Sequence, residues 1–153
     1  MKTLTKKIMS TTALFIAVTS ASFSQTKEEN HSALTQHHNK AKEHTYSLAS
    51  GTARTKDEQV KHANEAEKSL EEAKKAHEKL KASIPERHKA NAKPHHEAIE
   101  AHHTTAATHI KAAKEELSKP NHDEQKVKEH SKKAHEAIDQ AEKEHQKLKK
   151  TIK

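Results

Sequence analysis

The sequence predicts an all-α protein: an antiparallel, up-down-up-down four-helix bundle made of two duplicated helical hairpins and preceded by a cleavable signal peptide. Three observations predict it. Helix-capping motifs or prolines recur at each expected turn. Between the turns, small and apolar residues are spaced three, four and seven apart, which places them on one helical face. The second half of the chain also repeats the first, with the segment at His31 matching that at His96.

The internal repeat keeps histidines in register with small and apolar residues. An offset of 65 positions superimposes Leu34 on Ile99 and Ala41 on Ala106. The same offset superimposes four histidines on four others, namely His31, His37, His38 and His44 on His96, His102, His103 and His109. An offset of 68 superimposes His62 and His77 on His130 and His145. The histidines therefore belong to the helical pattern rather than to random composition.

Residues 1–24 have the layout of a secretory signal peptide. Three lysines precede a short apolar run at residues 11–18, and small residues follow, so cleavage is expected after Ser24 or otherwise after Ser22. An uncleaved membrane anchor is the alternative, but the run is much shorter than the ~20 residues a span needs. We therefore expect a periplasmic or secreted protein with no stable membrane insertion after cleavage.

The expected mature chain, residues 25–153, is rich in histidine and has few large apolar residues. It contains all 16 histidines, and loss of the three signal lysines lowers its net charge from +7 to +4. The absence of cysteine means that an exported domain of this size folds without disulfides. Its core is mainly alanine with some leucine, isoleucine and valine, so we expect modest stability without a ligand.

The first hairpin is expected over residues 26–84. Thr26 with Glu29 forms a capping box, and the helix should run from about Lys27 to about Leu48, where a single glycine, Gly51, follows. Thr55 begins a second capping box, and its helix should run to about Ser83. The inward residues of the two helices are Leu34, Ala41 and Leu48, then Ala63, Ala66, Leu70, Ala73, His77, Leu80 and Ile84.

The second hairpin is expected over residues 95–153, after a polar linker at 85–94 that Pro85 and Pro94 bracket. Asn91 or Lys93 should cap the third helix, which stops before Pro120. The segment 121–124 should cap the fourth helix. The inward residues are Ile99, Ala106, Ile110, Ala113 and Leu117, then Val127, Ala134, Ala137, Ile138, Ala141, His145, Leu148 and Ile152. A single extended coiled coil is the alternative, which the recurring turn signals disfavour.

Ten histidines are the candidate metal ligands, because they lie in or beside the predicted inward stripes: His31, His37, His44, His62, His77, His96, His102, His109, His130 and His145. Folding the hairpins predicts one layer of His44, His62, His109 and His130 and a distant layer of His31, His77, His96 and His145. Imidazole nitrogen binds Zn, Cu(II), Ni and Co well. The other six, His38, His88, His95, His103, His122 and His135, are expected to be solvated or less inward.

The spacing of the histidines restricts the kind of site. No helix carries a pair at i,i+4 and the chain has no H-E-x-x-H motif. Spacings of six and seven separate ligands by about 9–10.5 Å along a helix, so each site must join different helices. Glu142 lies three residues before His145 and could complete a site, whereas the repeat places Lys74 before His77.

These features predict an exported metal-binding protein that acts as a buffer, scavenger or metal chaperone for a divalent transition metal. A pH-responsive exported protein, such as an acid-stress buffer or chaperone, is the main alternative, because facing imidazoles repel when protonated. A structural helical protein without metal is another. Helical surfaces of this kind also allow homo-oligomers.

Other functional classes lack their signals in this sequence. With almost no aromatic residues, the core offers little space for a haem, and there are no aromatic platforms for nucleic acid bases. One glycine cannot build a glycine-rich phosphate loop, and no nucleophile arrangement or mirrored pair of carboxylates is present. We therefore expect neither an enzyme, nor haem binding, nor nucleic acid binding.

Overall fold

The computed structural model describes residues 26–153, which form an all-α structure of four helices. The predicted signal peptide lies outside the described residues. Within that range, no helix combines the length and the apolar character needed to cross a membrane. The helices are α1 (Lys27–Ala49), α2 (Lys56–Ser83), α3 (Glu86–Ser118) and α4 (Glu124–Thr151).

The helices pack as a bundle in which α1 contacts α2 and α4, and α3 contacts the same two helices. Side-chain contacts show the antiparallel direction of neighbours. Between α1 and α4, the Lys27 Nζ at the start of α1 donates to the Ile152 carbonyl at the end of α4. Further along α1, Lys42 forms an ion pair with Asp139, which lies earlier in α4. Between α2 and α3, the Lys56 Nζ at the start of α2 donates to the Lys119 carbonyl just after α3. The predicted bundle therefore agrees with the packing of the described helices.

The first two helices begin and end where the sequence predicts. Both capping boxes form: the Thr26 and Thr55 hydroxyls accept from backbone N–H groups, and Glu29 and Glu58 accept from the backbone of the capping residues. Gly51 has φ of 72°, the left-handed conformation in which a glycine ends a helix at least cost. These local bonds define the turn between α1 and α2.

The expected linker at 85–94 is wrong, because α3 already begins at Glu86 after Pro85. Neither Asn91 nor Lys93 is a cap, and Pro94 lies inside the helix. A proline in the helix interior removes one hydrogen bond and normally costs about 3 kcal/mol. The extra turns nevertheless bury Ala92 completely in the core, which offsets part of this cost.

The fourth helix has a simple side-chain cap. Asp123, within the predicted capping segment, accepts from the backbone N–H groups of Gln125 and Lys126. Its own backbone N–H donates to Glu116 at the end of α3. The turn between α3 and α4 is therefore anchored on both sides.

Every residue that the sequence predicts to face inward is buried. In each helix, however, the buried positions form two rows rather than one, with alternating spacings of three and four. In α1 the apolar row is Leu34, Ala41 and Leu48, and a second row of polar residues, His31, His38 and Thr45, is equally buried. The bundle thus carries polar side chains in its interior, and half of the twelve buried polar residues are histidines.

Candidate metal centre

Six histidines lie in the interior of the bundle, around the level where α1 and α3 begin and α2 and α4 end. None of them is more than 6% exposed. All six belong to the buried heptad rows just described, so helix packing alone brings them together. They are His31 and His38 of α1, His77 of α2, His96 and His103 of α3, and His145 of α4.

The six rings contact one another nitrogen to nitrogen. The three direct pairs are His31 Nδ1 with His145 Nε2 at 2.6 Å, His38 Nε2 with His103 Nε2 at 2.7 Å, and His77 Nε2 with His96 Nδ1 at 2.7 Å. Edge contacts join the pairs, with ring centroids 6.3 Å apart for His38 and His145 and 5.8 Å apart for His77 and His103. The result is one continuous imidazole cluster through four helices.

Glu142 of α4 is the carboxylate of this cluster. Its Oε2 lies 2.7 Å from His38 Nδ1 and 3.5 Å from His145 Nδ1. The Thr35 hydroxyl donates to Glu142 Oε1 at 3.2 Å and lies 3.4 Å from His145 Nδ1. Two helices therefore direct two imidazole nitrogens, a carboxylate and a hydroxyl towards one point.

Burial lowers the pKa of five of the buried histidines, namely His31, His38, His77, His96 and His103. The pKa of His31 and that of His77 are each lowered to about 4, and the pKa of His103 is lowered to about 2. Burial is the largest cause in each case, and the charge of the partner imidazole is the second. A neutral imidazole offers an unprotonated nitrogen, which is the form that binds a metal ion.

Glu142 stays ionised despite its position. Burial acts to raise its pKa, but hydrogen bonds from His145, His38 and Gln146 outweigh burial and lower the pKa below the ordinary value. Burial also lowers the pKa of His38, against the opposing hydrogen bond to Glu142. Since a carboxylate only accepts, the Nδ1–H of His38 donates to Glu142, and His38 Nε2 then accepts from His103.

These contacts form a candidate three-ligand site. The ligand atoms of His38, Glu142 and His145 lie within 4.8 Å of one another. Two imidazoles and one carboxylate make a donor set that zinc sites use, with water in the fourth position. To bind an ion through Nδ1, His38 would carry its single proton on Nε2 instead, and His103 would accept from it through Nε2 while carrying its own proton on Nδ1. His145 would likewise present Nε2–H to His31, so each ligand has an outer imidazole that orients it.

A second group, His77 with Glu78 and Glu100, also brings three potential ligand atoms within 4.8 Å. It is less well arranged than the first. Glu78 is exposed, and Glu100 accepts a hydrogen bond from Lys81 at 2.7 Å. The group borders an open groove of about 620 Å³ whose walls include three lysines. A cation would have to displace Lys81 from Glu100 to bind here.

Two further histidine pairs lie between the helices of each hairpin, closer to the turns. His44 Nδ1 is 3.0 Å from His62 Nδ1, and His109 Nδ1 is 3.2 Å from His130 Nδ1. All four rings are half-buried. Each predicted layer therefore contains contacting histidines. In the deeper layer, however, the contacting rings come from different hairpins, as in His31 with His145.

The sequence pattern assigned one pair of histidines to the wrong face. His38 and His103, expected to be less inward, are buried and contact each other. His37 and His102, expected to border the interior, are half-exposed, and in the described part of the chain neither contacts another imidazole. The apolar residues mark only one of the two buried rows, so they do not indicate that His38 lies on an inward face. The alternation of three and four through Leu34, His38 and Ala41 marks the second row.

The remaining four histidines lie outside the cluster, and two of them have hydrogen-bond partners on other helices. His95 Nδ1 donates to the Glu144 carboxylate at 3.0 Å, and His135 Nδ1 donates to the Lys42 carbonyl at 3.1 Å. His88 and His122 are half-exposed. These positions agree with the expectation that they lie outside the interior.

Comparison with protein-family models, with curated proteins and with solved structures found no match to this chain.

Proposed function

We propose that this protein is an exported, histidine-rich helical bundle that binds divalent transition metal ions, Zn, Cu, Ni or Co, as a buffer, scavenger or metal chaperone. The convergence of His38, His145 and Glu142 carries this proposal, because it brings two imidazole nitrogens and a carboxylate from two helices to one point. Export follows from the signal peptide that the sequence predicts.

The donor chemistry defines the class of ion. Imidazole nitrogen suits Zn, Cu, Ni and Co, whereas Ca²⁺ and Mg²⁺ prefer sites built from oxygen ligands. Because the cluster contains six buried imidazoles and one half-buried carboxylate, which contacts His38 and His145, the interior favours the first group. Many histidines without a matching nucleophile suit binding and release of ions better than catalysis, so we assign the chain no enzymatic role.

The small core couples ion binding to folding. Near the cluster, the interior consists of the six imidazoles and ten buried apolar residues, of which four are alanines. An ion that binds only the folded state stabilises it by RT ln(1 + [L]/Kd), about 2.7 kcal/mol at a hundredfold excess over Kd. The metal-bound bundle should therefore be substantially more stable than the metal-free bundle.

The test uses untagged protein, stripped of metal with a chelator. Native mass spectrometry counts bound ions, and circular dichroism records the melting temperature with Zn²⁺, Cu²⁺, Ni²⁺, Co²⁺ or Mg²⁺. We expect saturation at a small whole number of transition metal ions and a rise of several degrees in melting temperature, with no effect of Mg²⁺. Weak binding that never saturates and leaves the melting temperature unchanged would contradict the proposal.

The pH-responsive alternative makes a different prediction in the same experiment. It requires the metal-free bundle to open on mild acidification and requires no effect of transition metals at neutral pH. Both the metal-binding function and the pH-responsive function predict that acid opens the metal-free bundle, because the buried imidazoles are harder to protonate in the folded chain than in the unfolded chain. The response to metal at pH 7.5 therefore distinguishes them.

A further inference from the structure

The two half-buried histidine pairs near the turns differ in geometry from the buried pairs. In both pairs the contact joins the two Nδ1 atoms. They are 3.0 Å apart in His44 with His62 and 3.2 Å apart in His109 with His130. The buried pairs are shorter, at 2.6–2.7 Å. We refer to His44 with His62 as the first clasp and to His109 with His130 as the second clasp.

The clasp distances match those between two ligands of one metal ion. With metal–nitrogen bonds of about 2.0–2.1 Å and angles between 90° and 109°, two imidazole nitrogens lie roughly 2.9–3.4 Å apart. Both clasps fall in this interval as they stand. A buried pair at 2.6–2.7 Å would have to widen by several tenths of an ångström. An ion can therefore take the place of the proton between the two Nδ1 atoms without moving the helices, provided that the ring that carried this proton carries it on Nε2 instead.

The clasps also have more access to solvent than the buried cluster has. All four clasp histidines are half-buried, whereas His38 and His145 are fully buried. Water can complete the coordination of an ion held by two side chains, as in many sites with open positions. The second clasp borders an open groove of about 410 Å³, which also contains His102 and Glu136.

We infer that each hairpin carries a separate, exchangeable metal site: a two-histidine clasp that binds a divalent transition metal ion, with water as the remaining ligands. This inference extends the proposed function, since that function rests on the buried three-ligand site and the clasps share no residue with it. The protein would then hold one slowly exchanging interior ion and two rapidly exchanging peripheral ions.

The charges around the two clasps differ. Glu43 and Glu65 lie close enough to His44 to favour positive charge there, and Lys61 opposes them. At the second clasp, Lys133 opposes positive charge on His109. The first clasp therefore has the more negative surroundings, and we expect it to fill before the second.

The test counts ions in the metal-stripped, untagged full chain and in two matched double variants. His62→Gln with His130→Gln removes one ligand from each clasp. His37→Gln with His102→Gln is the control, because these histidines have the same intermediate burial and are related by the repeat, but within residues 26–153 they contact no other imidazole. We expect the clasp variant to bind two fewer Zn²⁺ ions than the wild type and the control to bind the same number. Cu²⁺ at the clasps should show two equivalent nitrogen couplings by electron paramagnetic resonance.

The outcomes separate this inference from the proposed function. If the clasp variant keeps its full ion count, or if the control loses as many ions as the clasp variant, the clasps are not sites. If Glu142→Gln removes one ion while the clasp variant still loses two, both are supported. Loss of the clasp ions with no effect of Glu142→Gln would support the clasps and overturn the buried site.

Discussion

Glu142 and Lys74 lie at corresponding positions of α4 and α2, 68 residues apart, yet they have opposite charges and different partners. Glu142 accepts from the buried imidazole of His38, while Lys74 donates to Glu71 at the surface at 2.6 Å. Lys74 is nonetheless close enough to His103 to lower its pKa. The cluster therefore has similar imidazoles on its α4 side and its α2 side, but α4 carries a carboxylate at this position and α2 carries a lysine. This difference predicts one buried ion rather than two.

Replacing Lys74 with glutamate should create a second buried site. Lys74→Glu would place a carboxylate beside His77 and His103, whose rings are 5.8 Å apart, much like His38 and His145 at 6.3 Å. We expect one additional Zn²⁺ by native mass spectrometry. Lys75→Glu is the control, because Lys75 is exposed and pairs with Glu72. An unchanged ion count in Lys74→Glu would show that the geometry on this side does not support a site.

Removing the charge of Glu142 should remove the buried ion. Glu142→Gln keeps the shape and an oxygen that can accept from His38, but it lacks the negative charge that offsets the charge of a divalent ion. We expect loss of one Zn²⁺ and little change in the helical content of the metal-free protein. Glu144→Gln is the matched control, since Glu144 pairs with Lys147 and His95 outside the cluster. Equal ion counts for the two variants would place the ion elsewhere.

The outer imidazoles should affect affinity without being ligands. His103 contacts the nitrogen of His38 that points away from Glu142. His103→Leu removes the acceptor that would orient His38, and changes of this kind typically reduce metal affinity ~10–100-fold. Competition with a chelator of known affinity would measure the change. The ion count at saturation should stay the same, and a lost ion would instead make His103 a ligand.

Much of the fold could be predicted from the sequence because its signals are local. Thr26 with Glu29 and Gly51 determine where helices begin and end through bonds within a few residues. Pro94 was an unreliable signal, because α3 continues through it and buries Ala92, and this tertiary contribution is not visible in a local pattern.

The candidate site was harder to predict than the helices. Apolar spacing indicated one inward row in α1, whereas the second row consists of polar residues that a hydrophobic pattern does not detect. His38 was therefore assigned to the wrong face. The sequence also does not identify the partner of His31. Its level along the bundle can be predicted, but the level does not determine which adjacent helix the ring contacts, and that helix is α4 with His145.

Replacing Pro94 should stabilise the bundle. Pro94 is exposed and lies inside α3, so Pro94→Ala restores a backbone N–H without removing buried surface. We expect the free energy of unfolding to rise by about 1–3 kcal/mol. Urea denaturation of the metal-free protein would measure it, with Lys93→Ala as a neighbouring exposed control. A decrease on Pro94→Ala would indicate that the helix depends on a bend at this residue.

The metal-free bundle should lose stability as the pH falls from about 6.5 to about 4. Burial lowers the pKa of His31 and of His77 to about 4 in the folded protein, while an unfolded histidine has a pKa near 6.5. Below pH 6.5 the unfolded chain therefore binds more protons than the folded chain, and stability falls with pH. These two groups together should contribute several kcal/mol, fully present above pH 6.5 and lost by about pH 4.

Urea denaturation of chelator-treated protein at pH 7.5 and pH 5 tests this dependence. His77→Leu is the informative variant, because it removes one lowered pKa and keeps an apolar side chain of similar size in the core. The pH dependence should be smaller in His77→Leu than in the wild type, even if the variant differs in overall stability. Zn²⁺ should add to the stability at pH 7.5 and less at pH 5, since protons compete for the same imidazole nitrogens. Identical stability of the metal-free wild type at the two pH values would mean that the buried imidazoles are protonated as readily in the folded chain as in the unfolded one.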